Sequence, residues 1–268
     1  IAWQEGPQMP RQTMASATGI INGKIYMFGG YPAASWVHWA YDIAAQTWDT
    51  TLTHDPYEGE YSLGAVCNGE LYVLGGACSA GGIHMRKYDP ALDSWTILSS
   101  PPACTTLYGY GAGVVGDKIY YYYGLEGMEL LNLCMEYTPL TDTWAQKSNA
   151  PLPARYCMGS AANGDYCYAV GGAIPSFINE CWRYYVPGDT WEQIANHPDT
   201  IAWNRCCFVR DHLFCPGGGW GQGAYYPARR EVYYWHEGAG WNITDSLPLA
   251  VGDPNVEGTT FNNVDYIF

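Results

Sequence analysis

Residues 109–116, GYGAGVVG, contain Gly111-x-Gly113-x-x-Gly116, the glycine spacing with which a loop cradles a dinucleotide pyrophosphate. That chemistry needs a strand before the loop and a helix after it, because the helix N-terminus holds the phosphate. Gly116 is succeeded instead by Asp-Lys-Ile-Tyr-Tyr-Tyr-Tyr, a β-forming aromatic run without helical period, so no nucleotide site is expected. Other chemical signals are thin. H-E-x-x-H and G-x-S-x-G do not occur, and the histidines at 38, 54, 84, 197, 212 and 236 share no ligand spacing. None of the ten cysteines has C-x-x-C spacing, and Cys206-Cys207 is the only close pair, which argues against zinc. Asp253-x-Asn255-x-Glu257-Gly258 begins like a calcium loop, but Val264 stands where the closing glutamate belongs, so it reads as an acidic turn. No cofactor and no metal are expected.

Composition narrows the partners. The 268 residues carry a net charge of −14 with only four lysines, so nucleic acid and anionic lipid should be repelled. No apolar run approaches the roughly eighteen residues of a membrane span. Cys67, Cys157, Cys167 and Cys215 fall in apparent strands as small apolar residues, while the even count leaves disulfides open. No leader is visible at Ile1, and Asn242-Ile243-Thr244 is a lone sequon. A soluble chain is expected, outside the cell or at its surface ahead of the cytoplasm.

Any site must be positioned by the repeats that fill the chain. GKIYMFGG (23–30), GELYVLGG (69–76), DKIYYYYG (117–124), DYCYAVGG (165–172) and DHLFCPGG (211–218) align, and NVDYIF (263–268) begins a sixth copy. The glycine pairs start at 29, 75, 171 and 217, with Tyr123-Gly124 as the third, giving steps of 46, 48, 48 and 46 residues. Trp3, Trp48, Trp95, Trp144, Trp191 and Trp241 recur in phase, as do Tyr41, Tyr88, Tyr137, Tyr184 and Tyr233. Ahead of each glycine pair lies a small-residue strand, and GYGAGVV is its third copy, with glycines where neighbouring backbones approach closely. Each unit therefore holds four strands.

Glycine pair, tyrosine and tryptophan at this spacing resemble the kelch repeat over essentially the whole chain. The resemblance implies an all-β fold, a kelch-type β-propeller of six four-stranded blades in one domain spanning residues 1–268. Residues 1–5 read as a Trp strand and 256–268 as the first two strands of a last, composite blade that lacks its Tyr strand. A cut chain, an imperfect ring or a strand given by another chain would each account for the gap; a cut chain is expected.

Kelch proteins bind through the loops after the glycine pair and before the small-residue strand, which implies a rim for this chain. The candidate ligand-binding residues are Tyr31, Trp36, Tyr57, Glu58, Tyr61, Tyr108, Glu126, Arg155, Tyr156, Trp203, Arg205 and Trp220, with Pro32, Glu60, Asn204 and Gln222 among them. Aromatic faces with a few arginines and carboxylates suit a protein, peptide or glycan. Arginine at this place also ties blades together, so Arg155 and Arg205 have a structural reading beside the functional one. GGGWGQGAYYPARR (217–230) departs most from its siblings and reads as a loop reaching over the channel mouth. A binding module is the expected function. The alternative is a carbohydrate-active enzyme resembling kelch sugar mutarotases, with Glu58, Glu60, Glu126, Arg155 and Arg205 as acid, base and anchor.

Overall fold

The computed structural model describes residues 3–31, 37–57, 59–76, 83–102, 104, 107–219, 228–261 and 264–268. The chain folds as an all-β kelch propeller with five four-stranded blades. Blade one is β1 (Ala17–Ile21), β2 (Lys24–Gly29), β3 (Val37–Asp42) and β4 (Thr47–Asp49); blade two is β5 (Gly64–Cys67), β6 (Glu70–Leu74), β7 (Met85–Asp89) and β8 (Ser94–Leu98). Blade three, β9 (Gly111–Val115), β10 (Lys118–Tyr122), β13 (Cys134–Thr138) and β14 (Thr143–Gln146), carries an inserted hairpin of β11 (Leu125–Glu126) and β12 (Glu129–Leu130). Blade four is β15 (Gly159–Asn163), β16 (Tyr166–Val170), β17 (Cys181–Tyr185) and β18 (Thr190–Ile194); blade five is β19 (Cys207–Val209), β20 (His212–Pro216), β21 (Val232–His236) and β22 (Gly240–Ile243). β23 (Gly258–Phe261) and β24 (Val264–Ile267) make a two-stranded sheet packed on β19.

The sequence markers explain how one blade grips the next. Tyr41, Tyr88, Tyr137 and Tyr184 stand opposite Trp48, Trp95, Trp144 and Trp191 across the outer strand pair. In blade five Trp235, two residues after Tyr233, takes the tyrosine's place opposite Trp241, and the β21–β22 turn is one residue shorter than in the other blades. Each tryptophan indole N–H then donates to a link carbonyl of the preceding unit: Trp95 to Thr53, Trp144 to Ser99, Trp191 to Ser148 and Trp241 to Ala195. Trp3 obeys the same rule, donating to Asp245 at 3.3 Å, although residues 3–5 form no strand. Of the six four-stranded blades expected, five are built among the described residues, and β23 and β24 form a separate two-stranded sheet.

The glycine pairs bring strand ends against the neighbouring blade. Backbone N–H groups of Gly30, Gly76, Gly124, Gly172 and Gly218 donate to the carbonyls of Gly59, Leu107, Arg155, Ile201 and Val251. A Cβ at Gly171 would lie 2.2 Å from the Ile201 carbonyl oxygen, so a side chain there would break the approach. Tyr123, which replaces the first glycine of the third pair, takes the same left-handed backbone with φ 57.

The small-residue strands β1, β5, β9, β15 and β19 surround the axis, and β23 lies beside β19. They enclose a channel cavity of about 330 Å³ lined by residues such as Gly19, Ala65, Gly113, Ala162 and Gly258. A Cβ on Gly113 would come within 2.7 Å of the Cys167 sulfur. The glycines of GYGAGVVG are therefore packing residues on β9, and β10 stands where a nucleotide loop would need a helix.

Candidate functional site

At the end of the channel beside the glycine pairs, one residue per unit enters the left-handed region: Ala15 (φ 58), Tyr61 (57), Gly109 (60), Cys157 (52), Trp203 (53) and Asp253 (46). Their backbones chain together around the axis. The Tyr61 N–H donates to Ala15, Gly109 to Tyr61, Cys157 to Gly109, Trp203 to Cys157 and Asp253 to Trp203, at 2.6–3.1 Å. Five of the six are not glycine, so each costs local strain of order 1–3 kcal/mol that the surrounding fold must hold. Such strain concentrates at sites that present side chains in a fixed direction.

Side chains of this ring wall a small well of about 30 Å³. Its lining includes Tyr61, Gly109, Cys157, Trp203, Asn204, Arg205 and Asp253. Tyr61 meets Trp203 edge-on at 5.4 Å, Tyr156 meets Trp203 at 5.6 Å, and exposed Tyr31 lies 6.3 Å from Tyr61. These four rings make a continuous aromatic surface, the kind that buries large area at little entropic cost. Beneath it, Asp253 Oδ2 and Asn204 Oδ1 are buried without a hydrogen-bond partner. Buried acceptors left unpaired are costly, and such groups in a native fold call for an explanation such as a ligand.

Electrostatics follow from burial. Desolvation pushes the Asp253 carboxyl up to about 6, against the pull of Arg205. Glu257 is raised by burial too, opposed by the Thr18 hydroxyl that donates to it at 2.6 Å and by Arg205. Burial holds the Cys157 thiol well above its ordinary value, so it is no thiolate nucleophile. Burial, then the charges of Asp253 and Glu60, also raise the Tyr61 phenol. The well thus offers hydrogen-bond acceptors, one guanidinium and aromatic walls.

Of the candidates, Tyr31, Tyr61, Tyr156, Trp203, Asn204 and Arg205 come together at the channel mouth. Arg205 also reaches the channel and donates to the Ser62 carbonyl at 3.2 Å. Arg155 is placed elsewhere: it is fully buried, donates to Glu180 at 2.9 Å and to the carbonyls of Pro153, Gly171 and Glu180, and lies over the Tyr123 ring. Tyr57 stacks on His84 at 3.7 Å, away from the cluster. Glu126 lies on the β11–β12 hairpin and Tyr108 pairs with Leu125 beside it. Glu60 is buried next to the ring. Pro32, Trp36, Glu58, Trp220 and Gln222 lie outside the described residues, as does most of the 217–230 stretch.

Asp253 is the group that sequence reasoning missed. The signal was its phase, one repeat step after Trp203, but the acidic spelling of 253–258 drew attention to calcium instead. The three polar residues of that run have separate tasks. Asp253 joins the ring, Asn255 accepts the Ser16 N–H at 3.1 Å, and Glu257 accepts from Thr18.

Comparisons with known proteins agree with this architecture. The Kelch-like protein terF of Aspergillus terreus is 25% identical over 242 residues, covering 81% of this chain and 52% of that protein. N-acetylneuraminate epimerase 1 of Escherichia coli is 24% identical over 251 residues, covering 87% of this chain and 62% of that protein. The chain thus spans roughly half to three-fifths of these two relatives. The solved structure of YjhT superposes with a TM-score of 0.80 at 18% identity, covering 98% of this chain and 91% of that one. The sequence profile of the KLHDC2/KLHL20/DRC7 Kelch-repeats domain matches residues 16–218, and the chain belongs to that kelch-repeat family.

Proposed function

We propose that this propeller is a recognition module that captures a protein, peptide or glycan segment at the channel mouth. The observation that carries the reading is the pair of buried, unpartnered acceptors, Asp253 Oδ2 and Asn204 Oδ1, under the rings of Tyr31, Tyr61, Tyr156 and Trp203. A ligand group with N–H or O–H donors would satisfy both oxygens while its apolar part packs on the rings. Arg205 would fix an acceptor on the same ligand. Ligand recognition on one loop face of a rigid scaffold is the ordinary division of labour in such folds. A combined peptide and glycan array tests the reading: binders to the wild type should lose signal with Asp253→Asn and with Tyr156→Ala, and binders indifferent to both would refute it.

A second reading, a sugar epimerase or mutarotase, is supported by the Asp253 carboxyl at about 6, a value suited to proton transfer near neutral pH, and by the similarity to the epimerase of Escherichia coli. Of the acid–base candidates, Arg155 is engaged inside a blade, and Arg205 with Asp253 would be the working pair. Exchange of sugar anomers followed by NMR decides between the two: rates at the buffer level across sugars and sialic acids would eliminate the enzyme.

We also infer that β23, β24 and the Trp3 segment share the sixth blade position. Supporting this are the bonds Trp3–Asp245, Ser16–Asn255 and Thr18–Glu257, which join the two ends of the chain, and the place of Asp253 in the ring. We infer an oxidising compartment, which the Cys206–Cys215 pair between the residue before β19 and β20 supports. Among the described residues no helix is long and apolar enough to cross a membrane.

A further inference from the structure

We propose that Asp211, His212 and His236, at the far end of blade five, form a binding site for a divalent transition metal, a departure from the expectation of none. β20 starts at His212 and ends at Pro216, next to the glycines whose Gly219 carbonyl accepts the Asp253 N–H. At about 3.3 Å per residue the site is therefore on the order of 15 Å from the channel mouth.

The β20–β21 register pairs Leu213 with Trp235, which sets His212 opposite His236 on neighbouring strands. The imidazole centroids are 4.8 Å apart. Asp211, in the turn before β20, reaches both: His212 Nδ1 lies 2.7 Å from its Oδ1 and His236 Nε2 lies 3.0 Å from its Oδ2. One ligand atom from each residue fits within 4.8 Å of the others, the only such group among the described residues.

The sibling blades show how unusual the position is. Where His212 stands, they have Lys24, Glu70, Lys118 and Tyr166; the first three form ion pairs with Asp42, Lys87 and Glu136 of the next strand, and Tyr166 packs on the Tyr185 ring. None of those four positions brings two imidazoles to one carboxylate, as blade five does. Two neutral imidazoles and a carboxylate are the donor set preferred by zinc, nickel or copper and are poor for calcium or magnesium. Ligand atoms around a tetrahedral zinc are separated by about 3.3 Å, so the histidine nitrogens need to close by roughly 1.5 Å or less. Both side chains are about a third exposed, at 36% and 39%, and have room to swing. Binding replaces two N–H···O bonds by three metal bonds, each displaced ring proton moving to the other nitrogen of its imidazole. Three protein ligands would leave a position for water.

The test uses the chelator-treated chain. Zn²⁺ and Ni²⁺ are titrated by calorimetry, and Cu²⁺ is followed by electron paramagnetic resonance. One equivalent should bind, with two-nitrogen coupling in the copper spectrum and a melting temperature that rises with metal concentration; Mg²⁺ should give no rise. Loss of an outer partner alone typically costs about 10–100-fold in affinity, so His236→Gln and His212→Asn should each weaken binding at least tenfold. Circular dichroism establishes that both variants are folded. No binding by the wild type, or the same affinity in folded His236→Gln and His212→Asn, would overturn the site.

Discussion

Asp253→Asn should make the protein more stable at neutral pH and no more stable in acid. Asparagine has the shape of the neutral acid and tolerates the left-handed backbone that Asp253 adopts at φ 46. The Asp253 carboxyl is raised from its ordinary 3.8 to about 6, chiefly by desolvation. At about 1.4 kcal/mol per pH unit, the buried charge costs the native state about 3 kcal/mol at pH 7. Because the folded pKa is the higher one, the unfolded chain releases this proton first. The stability linked to the neutral acid is complete below about 3.8 and is lost as the pH climbs through about 6. With about 2–4 °C per kcal/mol for a domain of this size, the variant should melt roughly 6–12 °C above the wild type at neutral pH. At pH 3.5 the two should melt together. Glu257 shifts in the same direction but is common to both proteins, so it cancels in the difference. Thermal melts by circular dichroism across that range read the effect. Equal melting temperatures at neutral pH, or a gap unchanged in acid, would refute the idea of a costly unpartnered carboxylate.

Other perturbations separate packing from recognition. Gly171→Ala, whose Cβ would meet the Ile201 oxygen at 2.2 Å, should destabilise by several times the ~1 kcal/mol expected for Gly23→Ala, where open space surrounds the new methyl; urea midpoints compare them. Arg86→Met leaves the buried Asp55 carboxylate without its bidentate partner and should cost about 3–5 kcal/mol in the same assay. Tyr31→Ala should weaken an array-identified ligand at least tenfold with little change in melting temperature, since its ring is exposed at the channel mouth. Cys206 and Cys215 should resist alkylation in denatured, unreduced protein and react after reduction, while Cys67 and Cys167 react in both; mass spectrometry of the peptides reads this, and labelling of all four without reduction would contradict the pairing.

Much of the fold was legible because its markers do mechanical work once per blade. Glycine pairs, tyrosines and tryptophans sit at blade contacts, so their spacing reports the architecture directly. Tyr233 misled because it keeps the tyrosine rhythm, 49 residues after Tyr184, while the residue in the paired position two places later is a tryptophan, Trp235. The site was legible in part. Arg155 and Arg205 look alike in sequence, but one precedes its ring residue by two positions and the other comes two after it. That offset sends Arg155 behind the glycine pair and Arg205 into the channel. Asp253 belongs to a pattern of backbone angles, and φ values leave little trace when tyrosine, cysteine, tryptophan and aspartate all adopt them.

The channel mouth as the place of capture is tested most directly by calorimetry of the strongest array ligand against wild type and Asp253→Asn, with the folded variant verified by its raised melting temperature. Binding to the variant should fall by tenfold or more, the loss expected when a charge-assisted hydrogen bond of about 1.5–3 kcal/mol is weakened. A ligand held equally tightly by both proteins would place recognition elsewhere on the propeller.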